Sequence, residues 1–250
     1  LILVTNDDGI DARGISALTN SLRGLGRIIV VAPDGPRSGH ACSFTCTRPL
    51  ELRPLSDDGD IARFTVSGTP VDCVKLAMHR FFPRRRPDLL VSGINHGANS
   101  SICVVYSGTM GAAIEGCIVG VPAIGFSLCD HRADADFTTA TPYVRRIAQQ
   151  VLVNGMERGI CLNVNIPTGD SIKGIRACRQ ANGFWTREFE HIEDHEDCEV
   201  YRVTGEYSNR EPEAADTDEY LLAKGYITVV PTQVDLTAHN RIQGIKYLER

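Results

Sequence analysis

Hydrophobic positions fall in two alternating rhythms over the first two thirds of the chain. Leu-Ile-Leu-Val-Thr at 1–5 and Arg-Ile-Ile-Val-Val-Ala at 27–32 are short, nearly unbroken apolar runs. Such runs fit strands covered on both faces, as in a parallel sheet. Between them Ile15, Leu18 and Leu22 recur at helical spacing, with Asp11 read as the N-cap and Gly24 and Gly26 as the stop. The result is a βαβ unit, which predicts parallel strands joined by a right-handed crossover. Residues 48–53 and 61–67 alternate around Ser56-Asp57-Asp58-Gly59-Asp60 and predict a hairpin. Thr69-Pro70 then opens a helix that turns Val71, Val74, Leu76 and Ala77 inward.

The same alternation continues. Leu89, Leu90 and Val91 begin a strand that runs into Ser92-Gly93-Ile94-Asn95-His96-Gly97. Tyr106-Ser107-Gly108-Thr109 opens a helix rich in small residues. Residues 121–126 read as a strand, 141–153 as a helix, and Leu162, Val164 and Ile166 alternate as another strand. From about residue 168 the pattern changes. Short alternating segments at 173–178 and 199–204 flank a polar stretch from Glu188 to Glu199, and Asp216-Thr217-Asp218 precedes a short helix. Tyr226 to Val230 forms a last strand. The reading is an α/β sandwich with a mostly parallel sheet over 1–167, followed by a hairpin-rich extension over 168–250, packed on that core or on a partner.

Composition narrows the function classes. A chain of 250 residues with 42% apolar and 23% charged residues is ordinary for a globular protein, and a formal net charge of −5 argues against a nucleic-acid duplex binder. The nine cysteines include no CxxC pair, and Cys73, Cys117 and Cys161 fall in apolar segments. Buried reduced thiols, the lack of a secretory signal pattern and the lack of an apolar run near the ~20 residues of a membrane span predict a cytoplasmic protein. Arg84-Arg85-Arg86 reads as a solvated turn. His191 and His195 among Glu193, Asp194 and Glu196 read as a solvated loop rather than a metal cluster.

The chemistry gathers at strand ends. Asp7 and Asp8 close the first strand, Ser38 follows the second, and Asn95 lies at the end of the strand begun by Leu89. In open α/β sheets this is the edge where ligands bind. Two adjacent carboxylates raise one another's pKa unless a positive charge lies between them. The bland alternative is that they cap the next helix or make a turn with Gly9. Carboxylate, hydroxyl and amide oxygens are hard ligands, which suit Mg²⁺ or Mn²⁺ rather than zinc. The Ser107-Gly108-Thr109 helix start offers unpaired backbone N–H groups to a phosphate. A cation beside an anion-binding helix terminus is what hydrolysis of a phosphate ester requires.

Leu3-Val4-Thr5-Asn6-Asp7-Asp8-Gly9 resembles the opening signature of the SurE family of metal-dependent nucleotidases. Val31-Ala32-Pro33-Asp34, Arg37-Ser38-Gly39, Gly68-Thr69-Pro70-Val71-Asp72, Val91-Ser92-Gly93-Ile94-Asn95, Tyr106-Ser107-Gly108-Thr109 and Asn163-Val164-Asn165-Ile166-Pro167 resemble its further blocks in the same order. Gly225-Tyr226 and Asp235-Leu236-Thr237 are similar to its C-terminal signature. The resemblance implies a Rossmann-like three-layer αβα sandwich and a 5′-nucleotidase that hydrolyses nucleoside 5′- and 3′-monophosphates, with short-chain polyphosphate as an extra substrate. It assigns one divalent metal per subunit (Mg or Mn, with Ca as a stand-in in crystals) to Asp7, Asp8, Ser38 and Asn95. Asp7 and Asp8 are then catalytic, and Asn95, Ser107, Gly108 and Thr109 bind phosphate and substrate. It also implies a homodimer or homotetramer with exchanged C-terminal segments. This sequence departs from the family pattern at Ser100-Ser101-Ile102-Cys103-Val104-Val105, at His40 and at Cys42.

Three alternatives stand beside this reading. One is a phosphatase of other small esters on the same site. A receiver-like module would be about half this length and needs a lysine after a late strand. A dinucleotide-binding module would need G-x-G-x-x-G after strand one, which is missing. Asp8, His40, His96 or a metal-bound water are all open as the proton donor to the leaving alkoxide.

Overall fold

A computed structural model of the chain describes residues 1–169 and 171–249. The first βαβ unit comprises β1 (Ile2–Thr5), α1 (Arg13–Ser21) and β2 (Ile28–Pro33), with β1 and β2 parallel. Asp11 does not cap α1. Ala12 is the N-cap, with no side-chain hydrogen bond. The cause is a turn in which the Asn6 amide donates to the Gly9 carbonyl and accepts from the Gly9 N–H. This delays the helix and leaves Asp11 exposed.

β3 (Leu52–Asp57) and β4 (Ile61–Val66) form the expected hairpin, although β3 starts later than the sequence pattern suggests. Its outer residues are exposed, so no burial pattern marks its limits. α2 (Pro70–Phe81) opens on a reciprocal cap. Thr69 Oγ1 accepts from the Asp72 N–H, and the Asp72 carboxylate accepts from the Thr69 N–H. β5 (Leu89–His96) leads through a 3₁₀ helix (Ser101–Tyr106) into α3 (Gly108–Ile118). β6 (Ala123–Leu128), α4 (Thr141–Asn154) and β7 (Ile160–Ile166) complete the parallel run.

The later segment supplies β8 (Ile175–Ala177), β9 (Gly183–Thr186), β10 (Phe189–Asp194), β11 (Glu199–Val203), β12 (Glu206–Asn209), α5 (Asp218–Ala223) and β13 (Ile227–Gln233). A terminal 3₁₀ segment spans His239–Glu249. The central sheet has nine strands in the order β3-β4-β2-β1-β5-β6-β7-β13-β8, so β13 and β8 extend the sheet beyond β7. β13 lies antiparallel to β7 and parallel to β8. β9 pairs with β12, and β10 with β11, as two small antiparallel ribbons.

Helices cover both faces. One core packs Ile15 and Leu18 of α1 and Val144 and Ile147 of α4 on the sheet. The other packs Val74 and Ala77 of α2 and Met110 and Ala113 of α3. The result is a three-layer αβα sandwich in which β4, β2, β1, β5, β6 and β7 run parallel and bring their carboxyl ends to one edge. Among the described residues no helix is long and apolar enough to cross a membrane.

Candidate active site

Asp7 follows β1 and is 4% exposed. The Thr109 hydroxyl at the start of α3 donates to Asp7 Oδ1 at 2.5 Å. The Asp7 backbone carbonyl accepts from the Arg37 N–H at 2.7 Å, which ties the loop carrying Ser38 to the end of β1. Burial pushes the Asp7 carboxyl up to about 6; the Thr109 hydrogen bond opposes this and the neighbouring Asp8 charge adds to it. Asp8 is also raised by burial, and nearby His96 moderates the effect.

Asp8 Oδ2 is buried, with no hydrogen-bond partner among the described residues. A buried carboxylate oxygen left without a partner is costly. Asn95 shows the complementary arrangement. Its Nδ2 donates to the carbonyls of His96 at 3.1 Å and Gly97 at 2.8 Å, which fixes the amide orientation and leaves Oδ1 without a donor among the described residues. An irregularity in β5 between Ser92 and Asn95 re-aims this residue at the strand end. Among the described residues no group of three or more His, Cys, Asp or Glu side chains is placed to hold a metal ion. A cation here would therefore be held by two carboxylates and completed by neutral oxygens. Orphaned Asp8 Oδ2, Asn95 Oδ1 and the Ser38 hydroxyl fit a hard divalent ion.

Asp7, Ser38, Asn95 and Ser107 line one cleft of about 510 Å³. Asp8 is not part of that wall and lies near His96. Gly108 and Thr109 are buried against Asp7. A Cβ on Gly108 would lie 2.8 Å from the Asp7 Cβ, so only glycine allows α3 to approach this closely. Ser107 is the N-cap of α3, its hydroxyl accepting from the Met110 N–H at 3.0 Å. The hydroxyls of Ser107 and Thr109 thus serve the helix and Asp7, and of the three residues only Ser107 lines the cleft.

The His96 ring packs edge-on against Phe137, with centroids 5.0 Å apart, and its Nδ1 meets the Arg132 carbonyl at 3.1 Å. That carbonyl can only accept, so Nδ1 carries the proton. His40 is exposed and lies outside the wall of the cleft. His191 is solvent-exposed and pairs with Asp194, but it lies in a strand of the β10–β11 ribbon and not in the loop the sequence predicts.

Several residues of the site were not singled out by sequence reasoning. Asn99, His131, Trp185 and Thr204 line the cleft. The loop after β5 is held by a chain of buried amides. Asn99 donates through Nδ2 to Ser127, its N–H meets Asn165 Oδ1 at 2.7 Å, and its carbonyl accepts from Asn163 at 2.8 Å. Asn163 and Asn165 alternate with Leu162, Val164 and Ile166, and that polar face of β7 was the signal available in the sequence.

The profile of the family described as "Survival protein SurE" matches residues 2–187. The chain is 51% identical to 5′-nucleotidase SurE of Phocaeicola vulgatus, over 98% of this chain and 95% of that protein. Identity to 5′-nucleotidase SurE of Bacteroides fragilis is 50%, over 100% and 97% of the two chains. The crystal structure of the SurE protein from Aquifex aeolicus superposes with a TM-score of 0.86 at 37% identity, covering 100% of this chain and 99% of that one.

Proposed function

Because the chain belongs to the SurE family, we propose that it is a divalent-cation-dependent phosphomonoesterase that hydrolyses nucleoside 5′-monophosphates to nucleoside and phosphate. The 3′-monophosphates and short-chain polyphosphate complete the proposed substrate range. The observation that carries this reading is the adjacency of two carboxylates at the end of β1: buried Asp7, held against the amino terminus of α3, and partly buried Asp8 with an unpartnered oxygen. Asp7, Asp8, Ser38 and Asn95 would hold one Mg²⁺ or Mn²⁺ ion. When bound, such an ion supplies Lewis acidity toward the phosphoryl group and makes water more acidic.

The chain's own residues do the rest. Thr109 fixes Asp7 in one orientation, and the Arg37–Asp7 backbone bond fixes Ser38 next to it. The backbone N–H groups at the start of α3 meet charge that develops on the phosphoryl oxygens. Ser107 holds that terminus in shape. His96, held by the Arg132 carbonyl and the Phe137 ring, lies near Asp8 and favours its charged form.

A homo-oligomer with exchanged C-terminal segments belongs to the same proposal. Leu236 is 91% exposed, and Ile245, Tyr247 and Leu248 of the terminal segment are exposed as well. Such a run of apolar side chains outside any core suits a surface on a second copy. The activity is tested by phosphate release from a panel of nucleotides and other small phosphate esters, after chelation and again with Mg²⁺ or Mn²⁺. Release from sugar phosphates but from no nucleotide would replace this reading with a phosphatase of other esters.

A further inference from the structure

Trp185 on β9 is the single tryptophan of the chain, and it lines the same cleft as Asp7, Asn95 and Ser107. We propose that its indole face is the platform on which the base of the substrate stacks. This rests on the nucleotidase reading and assigns a residue for recognition of the nucleoside part.

The ring is half-buried, so part of its surface remains open to the cleft. It is braced from several sides. Tyr207, its cross-strand partner on β12, meets it edge-on at a centroid distance of 5.9 Å and an interplanar angle of 70°. Gly205 lies against the ring so closely that a Cβ there would come within 2.9 Å of Cε3. An aromatic side chain held this way loses little freedom when a flat ligand stacks on it.

The platform is also tied to the phosphate end of the cleft. Fully buried Asp218 accepts from the Ser101 N–H at 2.8 Å through one carboxylate oxygen and from the Ala181 N–H at 2.9 Å through the other. Ser101 starts the 3₁₀ helix that leads into α3, and Ala181 leads into β9. One carboxylate therefore couples the segment that presents backbone N–H groups with the segment that presents the indole. The cleft volume, about 510 Å³, lies within the range of small-molecule sites. Recognition through a π-face tolerates every base, because each has one. Purines, with the larger face, should be favoured over pyrimidines.

A single tryptophan makes the test direct. Adenosine titrated into the full-length protein should quench Trp185 emission saturably, and ribose 5-phosphate at the same concentrations should not. Absence of an adenosine effect would overturn the platform, and so would an equal response to both compounds. In parallel, phosphate release from AMP and ribose 5-phosphate is measured for wild type, Trp185→Phe and Trp185→Ala. The ratio of kcat/KM for AMP to that for ribose 5-phosphate should fall by roughly tenfold in Trp185→Ala, the loss expected for one base–aromatic stack. It should stay within about threefold in Trp185→Phe. An unchanged ratio in Trp185→Ala with AMP still hydrolysed rejects the platform and keeps the nucleotidase reading. Failure of the wild type to release phosphate from any nucleotide rejects that reading, while the fluorescence titration still decides the platform.

Discussion

Thr109 and Asp7, 102 positions apart in the chain, share a hydrogen bond of 2.5 Å in which the threonine hydroxyl donates to a buried carboxylate. It is an inward-facing helix residue that orients the first acid of the site. The hydrogen bond favours the charged form of Asp7 against the larger opposing effect of burial.

That opposition gives a pH dependence. In metal-free protein the Asp7 carboxyl titrates near 6, against 3.8 when unfolded. Below the unfolded value both states hold the proton and Asp7 imposes no penalty. As pH rises toward 6 the unfolded state releases its proton first, so the folded state loses stability, by about 3 kcal/mol in all. Asp8 is shifted in the same direction. The Tm of metal-free wild type should therefore carry a component that falls between pH 4 and 7. Asp7→Asn should shrink that component, raise the metal-free Tm at pH 7 and abolish the Tm gain from added Mg²⁺. Differential scanning calorimetry at both pH values checks this, and a lower Tm for Asp7→Asn at pH 7 would contradict it.

Metal removal should abolish turnover. Every oxygen available at the site is a hard donor, so Mg²⁺ or Mn²⁺ should restore activity after chelation and Zn²⁺ alone should not. Asp8→Asn should lower turnover by ~100-fold or more with the fold intact by circular dichroism. Near-normal turnover in that variant would remove Asp8 from the site.

Ser107 and Gly108 should separate cleanly. The Ser107 hydroxyl caps α3, so Ser107→Ala should cost about 1 kcal/mol of stability and weaken inhibition by inorganic phosphate only slightly. Gly108→Val should be much more damaging, because its side chain would displace Asp7. Both phosphate inhibition and the Tm response to Mg²⁺ should be lost together. Loss of phosphate inhibition with an intact Mg²⁺ response would mean that the side chain blocks the anion and leaves Asp7 in place.

A truncation tests assembly. Removing residues from 226 onward would strip β13 from the central sheet, so the informative cut lies after Gln233. A chain ending there should keep its helical and sheet content and give a smaller mass than full-length protein by light scattering. An unchanged mass would exclude the terminal segment as an assembly element.

The fold was legible in the sequence wherever burial was two-sided. The apolar runs at 1–5, 27–32 and 89–91 can only be interior strands, and Thr69-Pro70 with Asp72 announces a helix start. Asp11 misled because a capping residue is recognised by type, whereas the Asn6–Gly9 turn that moves the helix is a matter of geometry. Of the β10–β11 ribbon only β11 is marked, by the alternation at 199–204, since β10 has no buried residue to alternate with. Asp7, Ser38 and Asn95 could be placed in one cleft because strand topology brings their elements to one edge. The Ser107-Gly108-Thr109 helix start predicts a phosphate contact for Thr109, and nothing in its spacing reveals that its hydroxyl reaches Asp7. Trp185 lay outside any periodic segment, and only tertiary packing joins it to the site.

The position of β13 has a consequence for how the chain is made. During synthesis, β7 is complete at residue 166, yet its outer edge stays unpaired until residues up to 233 have emerged. At roughly 5–20 residues per second the intervening stretch takes several seconds to appear. Throughout that interval a row of free N–H and C=O groups is open to any other extended chain. The nascent protein is thus most vulnerable to mispairing in the interval before its final strand arrives. Premature termination anywhere in that interval would leave β7 as an unpaired edge of the sheet that carries the metal-ligand candidates of the site.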